Sequence, residues 1–501
     1  MTSIAALREL HATIGAALDD IDRVYTAQGL AYPHLDTPSN SDRDAAAEKL
    51  THDPTVSVAS SSAIAACNRL IAELHNPYFA LLQGLHLGHV TAALSFLEAS
   101  NTVEILREAG HDGLHARDLA RKITEVRLAS SADTDVEPLD AIKLSHVLRL
   151  LATYHWVREV KPDVWANNRL TMVLDTGKTT EQLKAALEKK YDDTNAAAAM
   201  TAMCTSELFR SVTALTEWLL PSKDKPKNPP TPFHVAYNTA LDYYSWLERP
   251  ENSSKLAVVG RAMGFGRHSE GRLTMADKAV FAWDALPQNA AVVDVGGGIG
   301  SVAVQVAEAH PHLRIIVQDR PQTIAMAPHA WGTKHKELFD SGRVSFQPQD
   351  FFEPQPTTLQ VPGVGEVAHT AVYIVTRVMH NWPDAECVKI LSNLRAAAGP
   401  DTKLILHEVI LPLACPERES DSDSLASGIK DDSADAYANI RPPLLLPYSS
   451  SCDLTMMALM NSRERTLREL SDLALSAGWR IVSVARSDSP LRWGYMTAVP
   501  V

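Results

Sequence analysis

The chain has 501 residues, 45% of them apolar, with 60 acidic against 47 basic residues and a formal charge of −13 at pH 7. That length accommodates two or three domains with substantial cores. The acidic balance argues against a general polyphosphate-binding surface, so nucleic acid is not an expected partner.

The first segment, MTSIAALRELHATIGAALDDIDRVY, repeats Ile4, Leu7, Leu10, Ile14, Leu18 and Ile21 at helical spacing. It lacks the basic segment, continuous apolar run and cleavage site of a secretory signal and reads as an amphipathic helix. Further on, FALLQGLHLGHVTAALSFL is interrupted by Gln83, His86 and His89. These are costly in lipid, so a buried or interfacial helix is expected and no membrane association. Five cysteines, at 67, 204, 387, 415 and 452, are too few and too scattered for a disulfide framework or a CxxC metal site. They point to a reducing, cytoplasmic setting.

LHARDLARKI and the following DAIKLSHVLRLLATYHWVREVKPDVWANNRLTMVL place Leu144, Val147, Leu148 and Leu151 on one helical face, ahead of two short β-like runs. Helix, helix and wing suggest a winged-helix unit. DNA binding would need a strongly basic recognition face, and Lys143, His146 and Arg149 supply little, so a dimerisation scaffold is the favoured reading. PSKDKPKNPPTP reads as a connector. It divides a helical N-terminal domain, 1–224, from a second domain, 225–501. After it, Tyr237, Tyr243, Trp246 and Met263 fit either an aromatic pocket or helix-to-helix packing.

From Ala291 the pattern alternates strand and helix through AAVVDV, LRIIVQD, RVSFQ, TAVYIV and KLILHEVIL. This predicts a parallel sheet covered on both faces. GWRIVSVARSD and RWGYMTAVPV, separated by a short polar turn, predict an antiparallel pair at one edge. Residues 413–451 are acidic, Ser-rich and then Pro-rich, with the composition of an insertion loop.

AVVDVGGGIGSVAVQVA is a strand, a glycine turn and a helix, which presents backbone N–H groups and a helix N-terminus to a ligand at the carboxyl edge of the sheet. A dinucleotide fingerprint is tolerated in only one frame, because Ser301 occupies the final position counted from Gly296, whereas Ala303 can stand there counted from Gly298. Asp294, Gly296, Gly298 and Gly300 instead form the D-x-G-x-G-x-G pattern typical of S-adenosylmethionine enzymes. Its acid could oppose a cationic amino group and would not help a pyrophosphate. Asp319, just after the next strand, is placed for ribose hydroxyls. At the same edge stand His380, able to take a proton from a hydroxyl, and Glu408, able to orient it. Spacing alone equally permits a linker histidine and an ion-pair glutamate.

VDVGGGIG, QDRP, QDFFEP, VMHNWPDAECVKIL, HEVILP and DLTMMALMNSRERTLRELSDLALSAGWRI together resemble, in order and spacing, the motifs of plant and fungal small-molecule O-methyltransferases of the caffeic acid O-methyltransferase type. The resemblance runs from Thr231 to Val501 and more loosely before it. It implies an α/β fold, a class I methyltransferase Rossmann-like sheet with an antiparallel C-terminal edge hairpin, plus a mainly helical winged-helix and dimerisation domain. It implies S-adenosyl-L-methionine on Asp294, Gly296, Gly298 and Gly300, with ribose on Asp319, adenine near Asp350 and Phe351, and a further cofactor contact from Arg377. It makes His380 the general base, flanked by Glu408 and Glu464, for metal-independent methylation of a small phenolic substrate. Tyr237, Trp246, Met263, Met457, Met460 and Asn461 would line the substrate slot of a homodimeric enzyme. The chain departs from the family pattern at Asn381, commonly Asp, and at Thr376–Arg377, usually Lys or Arg followed by Trp. The 413–451 insertion is longer than in plant members, and its RPPLLLPY resembles fungal ones. Two other readings are a cyclase or pericyclase that keeps the cofactor for its positive charge, and a DNA-binding or scaffold protein with a vestigial cofactor domain.

Overall fold

The computed structural model describes residues 3–37, 42–130, 137–220, 230–266, 270–415, 429–431, 444 and 446–501. Most of the 221–232 connector and most of the 413–451 insertion therefore lie outside the described residues. The chain forms two compact units, Met1–Ser269 and Glu270–Val501. The division falls well past the expected boundary at 224/225, because the helices Pro232–Tyr237 and Ser253–Ala262 pack on the helices Phe209–Thr213 and Ala197–Met203 of the first unit.

In the first unit the helices Ser3–Ala27 and Pro54–Leu74 pack side by side. The second begins at Asp53, whose carboxylate accepts the Thr55 and Val56 N–H groups ahead of Pro54 at the first helical position. Leu97, Ile105, Leu106, Leu119, Leu148, Leu151 and Trp165 form the main core. Beside the helices Ala116–Ser130 and Ala141–Thr153 lie β1 (Leu114–His115), β2 (Arg158–Lys161) and β3 (Val164–Ala166), in the order β1-β3-β2. Arg149, the strongest cation on that helix face, is paired with Glu159 at 2.8 Å and Asp163 at 3.0 Å, which neutralises it as a phosphate contact.

The helix Pro77–Ala99, expected to be buried or interfacial, is buried toward its C-terminal end and exposed toward its start. Val90, Ala93, Leu97 and Glu98 are buried, and Glu98 meets Lys190 at 2.6 Å. Tyr78, Phe79, Leu81 and Leu85 are 60–82% exposed. It is long and apolar enough to cross a membrane, and its C-terminal part is built into the core of the first unit, where Glu98 and Lys190 form a buried ion pair.

The second unit is built on eight strands in the order β11-β12-β13-β10-β9-β4-β5-β6. These are β4 (Ala291–Val295), β5 (Arg314–Asp319), β6 (Val344–Pro348), β9 (Val372–Thr376), β10 (Lys403–Val409), β11 (Lys430–Asp431), β12 (Trp479–Arg486) and β13 (Trp493–Pro500). β6, β5, β4, β9 and β10 are parallel, and β13 inserts antiparallel between β10 and β12. The expected parallel core and terminal hairpin are both present. On one face Val293, Val295, Tyr373, Val375, Leu404 and Leu406 pack on Ile390, Leu394, Leu470 and Ala474, and on the other Val292, Ile315, Val317 and Ile374 meet Val306 and Trp331. Burial on both faces is why these strands read as unbroken apolar runs. An unexpected hairpin joins β7 (Leu359–Val361) and β8 (Gly365–Val367). Its turn carries Pro362 followed by Gly363 at φ +72°, a pair suited to a tight turn.

Candidate active site

β4 ends at the glycine turn, where Gly296, Gly298 and Gly300 have φ of +68°, +61° and +87°. Side chains rarely adopt this region. A Cβ on Gly296 would stand 2.9 Å from Val378 Cγ2 and one on Gly300 2.9 Å from Trp331 Cζ2, whereas Gly298 has nothing within 4 Å. Two of the glycines are thus required by close packing, and the third leaves open space above the turn. Trp331, which the sequence reading passed over, also donates from Nε1 to the Ile299 carbonyl at 2.6 Å.

Asp319, at the end of β5, accepts the Gly298 N–H at 2.9 Å and the Arg320 N–H at 2.8 Å. It is held against the glycine turn, half-buried. Past β6, Asp350 is exposed and accepts the Phe352 N–H at 2.9 Å, while Phe351 is half-buried, 3.6 Å from the Gly296 Cβ position. Phe351 and Phe352 meet Trp382 edge-on at 5.9 and 4.7 Å. The turn, Asp319 and Phe351 therefore converge at one carboxyl edge.

Asp294 differs from its expected role. It is 0% exposed, its carboxylate lies beneath Gly297, and among the described residues neither oxygen makes a close hydrogen bond. Burial, and then repulsion from Asp319, push its pKa up to about 7. A side chain so enclosed does not touch a ligand directly; its influence passes through the turn that covers it.

β9 leads into the catalytic edge. Arg377 takes φ +54° and donates its N–H to the His407 carbonyl at 2.9 Å, extending the ladder with β10 by one residue. Its guanidinium lies 3.4 Å from Glu270, which ties the expected cofactor contact to an acid at the start of the unit. Non-glycine residues held in this conformation store strain and cluster at functional sites. Asn381 donates from Nδ2 to the Arg377 carbonyl at 3.2 Å. An aspartate, which has no donor when ionised, could not make this bond, so the departure from the family pattern stabilises the strained turn.

His380 lies on the short turn Met379–Asn381. Its Nδ1 is 3.2 Å from Glu464 Oε1 and 3.4 Å from Glu408 Oε2; both glutamates are nearly fully buried, and the imidazole is 15% exposed. Glu408 Oε1 accepts the Val378 and Met379 N–H groups at 3.0 and 2.8 Å, so the strand that supplies one carboxylate also braces the histidine's turn. Burial by itself would lower the His380 pKa, but Glu408 and Glu464 together outweigh it and raise it. Burial raises the Glu408 pKa. The next residue along, His407, is held neutral by burial, with its pKa pushed down to about 3, and stacks on Tyr495 at 4.0 Å.

Met457 and Met460 lie partly buried on the helix Tyr448–Met460, which packs over the His380 turn. Asn461 is exposed at φ +54° and ends that helix, so its visible role is to reverse the chain. Tyr237, Trp246 and Met263 belong to the first unit. Tyr237 and Trp246 are 4.9 Å apart; Tyr237 stacks on Phe233 and Trp246 meets it edge-on, whereas Met263 is 48% exposed. Sequence reasoning missed Asp453, which accepts the Glu464 N–H at 3.0 Å, and Arg465, although each stands beside or within a quoted motif.

A glycine turn with Asp319 held against it, and a histidine beside two buried carboxylates, stand at the carboxyl edge of this sheet, an arrangement that fits a methyltransferase-type α/β protein. A family model described as "O-methyltransferase domain" matches residues 264–429. An O-methyltransferase of Armillaria gallica is 32% identical, covering 99% of this chain and all of the relative. The 4-O-methyltransferase 1 of Phanerochaete chrysosporium is 32% identical over 96% of each chain. The chain belongs to the O-methyltransferase family, whose methyl donor is S-adenosylmethionine. Two solved structures share the fold at 18% identity and a TM-score of 0.63: LepI in complex with S-adenosylmethionine, covering 92% of this chain and 100% of its own, and a pericyclic reaction enzyme, covering 91% and 99%.

Proposed function

We propose that this O-methyltransferase methylates a phenolic hydroxyl of a small aromatic compound, with His380 as general base and Glu408 and Glu464 orienting it. The observation that carries the reading is the approach of His380 Nδ1 to two buried carboxylates at 3.2 and 3.4 Å. In this reading the acids attract a proton on Nδ1, and Nε2, on the other side of the ring, is the nitrogen that meets the substrate. The glycine turn at Gly296, Gly298 and Gly300 fits the cofactor's methionine end, Asp319 its ribose, and Asp350 with Phe351 its adenine; Arg377 adds a cation at the same edge. When bound, S-adenosylmethionine supplies a methyl group on a sulfonium, an already activated leaving group. His380 Nε2 accepts the hydroxyl proton, and the resulting imidazolium is stabilised by Glu408 and Glu464 while the acceptor oxygen gains its nucleophilic electron pair. Met457 and Met460, partly buried on the helix over the His380 turn, are the proposed apolar lining for a flat acceptor.

The test is transfer of labelled methyl from S-adenosylmethionine to a panel of phenols by the wild type and by His380→Ala. Transfer by the wild type alone is expected. Undiminished transfer by His380→Ala would remove the general-base role, and rearrangement without label transfer would favour the pericyclase reading. The three atoms at His380, Glu408 and Glu464 lie within 4.8 Å of one another, a spacing a metal could also use. We assign the group to proton transfer, so a chelator should leave turnover unchanged; loss that added zinc restores would overturn this.

We also propose a homodimer, in which a second copy covers the exposed Tyr78, Phe79, Leu81 and Leu85. Sedimentation should give twice the 54.7 kDa chain mass, and Leu81→Lys with Leu85→Lys should give the monomer. We propose a cytoplasmic location, since none of the five cysteines forms a disulfide among the described residues, and fractionation of the source cells would test it.

A further inference from the structure

His380, Glu408 and Glu464 come from three segments far apart in the chain, and proton transfer requires their relative placement to be held closely. Arg465 stands directly after Glu464 and is 2% exposed. Its Nη1 donates to the Met379 carbonyl at 2.9 Å, and its Nη2 donates to the Trp382 carbonyl at 2.8 Å. Those two carbonyls bracket the turn that carries His380. Nε and Nη2 also donate to Asp384 Oδ1 at 3.0 and 2.7 Å, supplying the counter-charge that a buried guanidinium requires. The main chain of the same residue completes the junction. The Arg465 carbonyl accepts the Leu411 N–H at 2.9 Å, and a bridge joins Arg465 to Ile410, just past the strand that carries Glu408.

We propose that Arg465 is the positioning residue of the site, a staple that fixes the His380 turn and the end of the Glu408 strand to the segment presenting Glu464. The inference rests on the reading of His380 as general base. Arg465 acts through that base, since its recorded bonds are to backbone carbonyls and to Asp384. The task requires arginine: only a planar fork with five donors reaches two carbonyls and a carboxylate at once, and a lysine ammonium would keep the charge but lose the span. Two bonds on one turn, with further anchors at Asp384 and Leu411, also explain why a base carried on so short an element can be held in register with two carboxylates. A displacement of about 1 Å in such a group costs on the order of 10²-fold in rate.

The experiment compares a phenol that the wild type methylates with its nitro-substituted counterpart, already ionised at the assay pH and therefore independent of a base. Arg465→Lys and Arg465→Met should lose about 10²-fold in kcat on the un-ionised phenol, with the KM for S-adenosylmethionine unchanged. On the ionised phenol they should fall within a few-fold of wild type. Asp384→Ala, which leaves Arg465 in place and removes one anchor, should show the same acceptor dependence in weaker form and serves if Arg465→Met does not fold. Equal losses on both acceptors, or a raised cofactor KM, would overturn the proposal in favour of a general structural role. His380→Ala is the internal control. If it shows the acceptor dependence and the Arg465 variants do not, the staple alone is wrong; if it lacks that dependence, the general-base reading has failed and the staple with it.

Discussion

Nδ1 of His380 lies 3.2 Å from Oε1 of Glu464, a carboxylate delivered from beyond the 413–451 insertion to a histidine at the end of β9. With Glu408 at 3.4 Å it places two acids behind one ring nitrogen, where a single acid would suffice to fix the tautomer. The second acid raises the basicity of the ring. Glu464→Gln and Glu408→Gln should therefore each reduce kcat by roughly 10- to 100-fold on an un-ionised phenol, within the range that general-base catalysis contributes. Steady-state kinetics would check this, and an unchanged kcat in both variants would remove the carboxylates from the mechanism.

The pH dependence follows from the same contact. His380 must be neutral to accept a proton, and Glu408 and Glu464 hold its pKa above the ordinary value of 6.5 against the opposing effect of burial. The acid limb of kcat/KM should thus titrate above 6.5 and move lower in Glu464→Gln. Asn381→Asp should move it upward by adding an anion, at the cost of the bond to the Arg377 carbonyl. The linked stability has the corresponding sign: the raised folded pKa stabilises the protein fully below the unfolded value, and that contribution is lost as pH rises through the folded pKa. An acid limb at or below 6.5 in the wild type would contradict this account.

Gly300 and Gly298 should respond differently to alanine. Gly300→Ala adds a Cβ 2.9 Å from Trp331 at φ +87° and should lower the melting temperature, with a cost of about 1–3 kcal/mol. Gly298→Ala meets no neighbour within 4 Å, so it should lose less stability than Gly300→Ala and more cofactor affinity. Thermal unfolding and calorimetric titration with S-adenosylmethionine distinguish the two, and the same pattern in both variants would show that the turn is not a ligand cradle.

Asp294 carries a buried carboxylate with a pKa pushed up to about 7, first by burial and then by Asp319. A raised acid pKa favours the fold at low pH and loses that advantage as pH rises through about 7. Asp294→Asn should flatten this fall and raise the melting temperature at pH 8, while weakening binding of the cationic cofactor. A lower melting temperature at pH 8 would show that the charge is compensated in the apo protein.

The alternation of strands from Ala291 onward and the glycine turn were legible because both depend on local rules: apolar runs that must be buried on two faces, and backbone angles that only glycine tolerates. His380 and Glu408 were also within reach, as residues at the ends of neighbouring strands. The role of Asp294 was not, because its periodicity is the same whether the carboxylate faces a ligand or is sealed beneath Gly297. The boundary near residue 224 was misplaced for a similar reason: a proline-rich connector marks a loop, and only packing assigns the helices after it to the first unit. By itself, the sequence determined the sheet, the glycine turn and the histidine at the carboxyl edge. Tertiary structure alone decided that both Glu408 and Glu464 approach the same His380 nitrogen, that Asn381 supports the strained Arg377, and that Arg465 joins the three segments. Those contacts link residues far apart in the chain, and no local periodicity records the distance between them.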